Sequence, residues 1–154
     1  MEYYSLYTYN EFTFLFIATD NGLTTLHDYT NEDLSGLIEN KDKLKPYIEA
    51  LETYFKTGVA PKIPMDIHPT AFQSLVYNEL IKIESGHTTN YEELAYRIKK
   101  PRASRAVGNA LGRNPILIFI PCHRVIRKDN SIGGFSSNPK LKRFLIDLEK
   151  MKLS

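Results

Sequence analysis

A chain of 154 residues holds one compact domain or two small ones, and 42% apolar residues with ten Tyr and eight Phe supply a core. One cysteine excludes an internal disulfide and a multi-cysteine zinc site; His27, His68, His87 and His123 lack metal-ligand spacing, so neither metal nor other cofactor is expected. The net charge of +2 conceals an asymmetry: residues 1–66 hold five Lys against eleven acids, a net of −6, and residues 67–154 carry +8. No secretory signal or membrane-length apolar run occurs, so a cytoplasmic protein with no membrane partner is expected.

Residues 3–9 and 12–19 are rich in Tyr, Phe and β-branched side chains, the composition of strands. Asn10-Glu11 and Asp20-Asn21-Gly22 fall where turns belong, and residues 23–29 make a third strand, giving a small antiparallel meander. Leu44, Ile48, Leu51, Tyr54 and Phe55 then recur at helical spacing, and Gly58 ends that helix. This part holds no catalytic constellation; a supporting role is expected. Residues 59–65, with two prolines and no periodicity, read as a linker. The charge changes sign just beyond it, which sets domains at residues 1–66 and 67–154.

Thr70 caps a helix reaching about residue 83, with Phe72, Leu75, Val76, Leu80 and Ile83 on its apolar face. Asn90 caps a short helix, with Glu93 as its capping-box partner and Leu94, Ala95 and Ile98 turned inward. Pro101 breaks the pattern, and residues 102–113 form a third helix; together these resemble a helix-turn-helix. In that third helix Ala103, Ala106, Gly108, Ala110 and Gly112 alternate with Arg105, Asn109 and Arg113. Small residues permit close approach to a partner whose phosphates the arginines would anchor, or equally a tight helix–helix contact. Nine basic residues and no acid lie between positions 97 and 128, which favours a polyanion such as nucleic acid over a merely solvated surface.

The apolar run 116–120 reads as a buried strand or extended core segment, ended by Pro121. Cys122 is thereby left at the rim of a core, beside His123, Arg124, Arg127 and Lys128. Neighbouring cations lower a thiol's pKa, so a reactive thiolate and an inert structural thiol both remain open on these residues. Neighbours in an extended chain face opposite sides, so His123 reaches the sulfur only through a water or a local bend. A last helix starts at Asn138-Pro139 and runs through Leu141, Phe144, Leu145 and Leu148.

Pro121-Cys122-His123-Arg124-Val125 resembles the active-site motif of the methylated-DNA–protein-cysteine methyltransferases, which repair O6-alkylguanine. Ser104-Arg105-Ala106-Val107-Gly108 and Asn114-Pro115 are similar to that family's recognition helix and asparagine hinge. The resemblance implies a helix in the minor groove, with Ser104 and Ala106 at the DNA and Arg105 filling the gap left by a flipped nucleotide. It implies Cys122 as nucleophile, His123 between it and Glu149, Asn114 bracing the cysteine, and Tyr91, from Thr88-Thr89-Asn90-Tyr91, donating a proton to the leaving guanine. Ser136 would hold the base near its alkylated oxygen, Arg124 would join the DNA-binding set, and the backbone at Cys122 and Val125 would meet the base's amino group. Departures are Ser137-Asn138 where glycines are frequent, Phe135 for a usual tyrosine, and Tyr77 for a frequent tryptophan.

The expected fold is α/β (α+β), with a small sheet-plus-helix N-terminal domain and a helical, winged-helix-like C-terminal domain. The expected activity is a single-turnover alkyl transfer from flipped O6-alkylguanine to Cys122, by a monomer acting on duplex DNA. A damage-sensing module without chemistry is disfavoured by the presence of Cys122. A cysteine acyl-hydrolase is disfavoured by the lack of an oxyanion-hole motif.

Overall fold

The computed structural model describes residues 1–132 and 138–153. The chain divides into two compact units, Met1–His68 and Pro69–Ser154.

In the first unit the meander forms from β1 (Tyr3–Tyr9), β2 (Phe12–Thr19) and β3 (Gly22–Asp28). A fourth strand, β4 (Ile38–Glu39), pairs parallel with β1 and gives the order β3-β2-β1-β4. Two residues are too few to show strand alternation, which is why β4 was not expected. Asn10 turns the first hairpin at φ 53, a left-handed conformation that Asn tolerates. Helix α1 (Lys41–Thr57) buries Leu44, Leu51, Tyr54 and Phe55. It is capped by the Asn40 side chain, which accepts from Lys43 N–H, and closed by Gly58 at φ 79. The Phe55 ring stacks on Tyr9 with centroids 4.0 Å apart.

The segment read as a linker is instead tied to β3. Leu23 N–H donates to the Pro64 carbonyl at 3.0 Å, and Asp66 N–H donates to the Leu23 carbonyl at 2.8 Å. Gly22 makes this approach possible, since a Cβ there would lie 2.9 Å from the backbone of Pro64 and Met65.

In the second unit α2 (Ala71–Ile81) starts on a complete capping box between Thr70 and Gln73. Leu75, expected inside, is 45% exposed, and Tyr77 is buried in its stead. The Tyr77 hydroxyl donates to the Ala110 carbonyl at 2.8 Å, so this packing position also makes a buried polar contact. A two-residue β5 (Thr89–Asn90) leads into α3 (Tyr91–Arg97). Asn90 accepts from Glu93 N–H at 2.8 Å, yet the Glu93 carboxylate takes Thr89 and Arg97, so the expected capping box is only half made.

Helix α4 (Ser104–Gly112) begins two residues later than expected and has no side-chain cap. Val107, Gly108, Ala110 and Leu111 are buried, while Arg105, Ala106 and Asn109 face solvent. Its small residues therefore divide: Gly108 and Ala110 serve internal packing, and Ala106 leaves the outer face low beside Arg105.

The run 116–120 is buried but is not a strand. Ile118 takes φ 74, Phe119 N–H donates to Leu117 O at 2.8 Å, and Ile120 N–H to Ile116 O at 3.1 Å. A left-handed β-branched residue costs on the order of 1–3 kcal/mol and persists only where packing over-determines it. Ile116, Ile118 and Ile120 are each at most 1% exposed. After a 3-10 turn at Cys122–Arg124, β6 (Val125–Ile126) pairs parallel with β5. Helix α5 (Pro139–Leu153) presents Leu141, Lys142, Leu145, Ile146, Leu148 and Glu149 as one buried stripe.

Candidate active site

Two residues of β-ladder position the site. Thr89 pairs with Val125 and Asn90 with Ile126, which sets Tyr91, the next residue, beside the segment carrying Cys122. Because Cys122–Arg124 is a 3-10 turn, the extended-chain argument about His123 does not hold; this is the local bend that was the alternative.

Cys122 is half-buried. Burial pushes its thiol up, opposed by a hydrogen bond from Asn114 and then by the charge of Lys142. Desolvation thus outweighs the neighbouring positive charge, and the cation that acts on the thiol is on α5. Asn114 is itself fixed, donating from Nδ2 to Ile120 O at 2.7 Å and accepting from Ile116 N–H at 2.9 Å.

His123 and Glu149 are 4% and 2% exposed. Nε2 lies 2.6 Å from Glu149 Oε2, and since a carboxylate accepts, Nε2 carries the proton. Nδ1 then presents a lone pair, and it is the one buried side-chain nitrogen or oxygen without a partner among the described residues. Burial lowers the imidazole pKa more than Glu149 raises it, so the ring rests neutral. Glu149 Oε1 also accepts from Gly86 N–H at 3.2 Å.

Arg124 was expected in the DNA-binding set. It is 7% exposed, donates from Nε and Nη2 to the two Glu149 oxygens at 2.9 and 3.0 Å, and from Nη1 to Ile83 O at 2.7 Å. Its guanidinium is fully engaged inside the unit, so it orients Glu149. Val125 is buried, and its N–H donates to the Cys122 carbonyl.

Tyr91 is held protonated: burial raises its pKa, Arg127 opposes, and Cys122 adds to the rise. An open cleft of about 480 Å³ is lined by Tyr91, Ser104 and Arg105, with Arg127 and Lys128 on its rim. Lys128 meets Glu92 there at 3.2 Å. Ser136, with Phe135 and Ser137, lies outside the described residues. Among the described residues no group of His, Cys, Asp or Glu could hold a metal ion, and no helix is long and apolar enough to cross a membrane.

One residue of the site went unnoticed in the sequence, Lys142, and Arg124 was assigned to the DNA rather than to Glu149. For Lys142 a signal exists: it stands seven residues before Glu149, so two charges interrupt one apolar helical stripe.

A helical second unit that sets a lone cysteine next to a buried His123–Glu149–Arg124 cluster defines a thiol protein with a built base. Residues 71–151 match the family described as "6-O-methylguanine DNA methyltransferase, DNA binding domain". The inducible methylated-DNA–protein-cysteine methyltransferase of Bacillus subtilis is 36% identical over 96% of this chain and 90% of its own length. The methylated-DNA–protein-cysteine methyltransferase of Methanosarcina barkeri is 44% identical over 75% of this chain and 74% of its own. The crystal structure of the Mycobacterium tuberculosis O6-methylguanine methyltransferase superposes with a TM-score of 0.90 at 29% identity, covering 99% of this chain and 94% of that one. The same organism's protein in complex with DNA gives 0.87 at 31% identity, covering 97% and 94%. The chain belongs to the methylated-DNA–protein-cysteine methyltransferase family.

Proposed function

We propose that the protein repairs O6-alkylguanine, chiefly O6-methylguanine, in duplex DNA by moving the alkyl group irreversibly to Cys122. The observation that carries this reading is the pair next to the only cysteine: a neutral His123 whose Nε2–H is committed to Glu149 and whose Nδ1 has no partner among the described residues. A thiol with a raised pKa needs such a base.

The thiol proton passes to His123 Nδ1, directly or through a water, and the imidazolium is stabilised by Glu149. The sulfur attacks the methyl carbon, so an S–C bond forms as the C–O6 bond breaks and its electron pair leaves with guanine. Tyr91, protonated at neutral pH, gives the departing base a proton and recovers one from the imidazolium. Overall the thiol proton ends on guanine and the protein on S-methylcysteine, a thioether that water cannot cleave, so each molecule acts once.

A cysteine held among buried side chains cannot reach a base within the stack, so the nucleotide must be flipped, at a few kcal/mol. Arg105, exposed on α4 beside the low surface of Ala106, is suited to fill the gap, with Ser104 at the same cleft. Asn114 braces the thiol, the Cys122 and Val125 backbone would face the base's amino group, and Ser136 its O6. The protein is read as a cytoplasmic monomer with no membrane partner.

The test is the intact mass after incubation with a duplex oligonucleotide carrying one O6-methylguanine. One methyl gained, saturating at one per molecule and absent in Cys122→Ser, is the expected result. Tight binding with no mass change would overturn the reading.

A further inference from the structure

A lysine inside a protein is rare unless paired, because desolvating an ammonium is costly. Lys142 is 6% exposed. It also lies in the opening turn of α5, where its backbone N–H donates to Asn138 O at 3.1 Å and Asn138 Oδ1 accepts from Leu141 N–H at 3.1 Å. The positive end of the helix dipole disfavours a cation there, a second cost on the same residue. Among the described residues Lys142 forms no ion pair. Glu149, the carboxylate on the same stripe, is two turns away and already bridged to His123 and Arg124. No acid in the sequence falls between Asn130 and Arg143.

Helix α5, which carries Lys142, packs against the Cys122–Arg124 turn. Cys122 and Arg127 act on its charge, and it in turn acts on His123. Glu149 meets His123 and Arg124, and seven residues at 1.5 Å each put Lys142 about 10 Å back along the same buried stripe. The only one of these groups able to become an anion is the thiol.

We propose that Lys142 is the cationic partner of the Cys122 thiolate: its ammonium, brought inside the unit by α5, stabilises the sulfur's charge once the proton has left. His123 and Lys142 then divide the work, the first accepting the proton and the second offsetting the charge left behind. The depressed titration of Lys142, lowered to about 8 mainly by burial and held up by Cys122, agrees with such a pair. When the thiolate becomes a neutral thioether the lysine loses its partner, so alkylation leaves an uncompensated buried cation. This inference rests on Cys122 being the nucleophile, and its test is separable from that reading.

Cys122 is the only cysteine, so its alkylation by iodoacetamide in the full chain, without DNA, can be followed by intact mass from about pH 5 to about pH 10. Lys142→Met should move the midpoint of thiol reactivity up by about one unit and slow alkylation at neutral pH roughly tenfold, whereas Lys142→Arg keeps most of the wild-type rate. Binding of duplex DNA should not change. An unmoved midpoint in folded Lys142→Met would overturn the proposal, even if methyl transfer fell. A second reading needs no substitution: with Cys122 capped as its methyl disulfide, the Lys142 amine, followed by carbon NMR, should titrate at lower pH than in the free protein. An identical titration would equally overturn it. Failure of methyl transfer by the wild-type protein, with these shifts intact, would instead remove the repair reading.

Discussion

Glu149 is the residue at which the site's internal logic meets. The neutral His123 imidazole, the Arg124 guanidinium and the Gly86 N–H share its two oxygens at 2.6 to 3.2 Å. Removing Arg124 would leave a buried carboxylate short of its main counter-charge and the Ile83 carbonyl short of a donor. Arg124→Met is therefore expected to cost about 3–5 kcal/mol in a urea titration, against nearly nothing for the exposed Arg143→Met. His123 sets a pH dependence whose sign is fixed. Its pKa in the folded protein is below 6.5, so the unfolded chain binds more protons in that window and stability falls as pH drops through and below 6.5. Urea midpoints measured at about pH 7.5 and about pH 5.5 should show this loss, and His123→Gln should flatten it. Lys142, lowered from 10.5 to about 8, acts with the same sign in the alkaline window between those values.

At the scale of elements, short contacts hold what long ones cannot. The site's pairing rests on β5 and β6, two residues each, which join the start of α3 to the end of the active-site turn. Similarly the 59–65 segment is fastened to β3 through Gly22, whose hydrogen leaves room that a methyl would take from the Pro64 and Met65 backbone. Gly22→Ala should destabilise the protein by about 1–3 kcal/mol in thermal or urea unfolding. Gly112→Ala is the control, since a Cβ there meets nothing within 4 Å and its φ is not positive. The misplaced Leu75 and the Tyr77 buried in its stead share a cause: periodicity identifies a face, but the partner decides which residues border it.

For the molecule as a whole, the opposite charges of the two halves predict how it meets DNA. The basic residues lie in the second half, and Arg97 and Lys128 are paired to Glu93 and Glu92 in exposed bridges that phosphate can replace. Arg105→Ala should slow repair of duplex DNA far more than reaction with free O6-methylguanine, measured by methyl gained per protein. Equal losses would remove its role in flipping.

The three-stranded meander, the order of the helices, helix caps at Thr70, Asn90 and Asn138, and the cysteine motif were all legible in the chain, because each depends on residues within a few positions of one another. The resemblance added Glu149, which read alone passes as a solvated helical acid. Only the tertiary structure decided where charges go. Arg124 turned inward, Lys142 was buried without a carboxylate among the described residues, and the thiol's pKa rose although cations surround it in sequence, because desolvation depends on what packs around a group and adjacency in the chain does not measure that. The 116–120 run makes the same point for the backbone: its apolar composition determined that it would be buried, and the surrounding packing decided that it would coil through a left-handed Ile118 rather than extend as a strand.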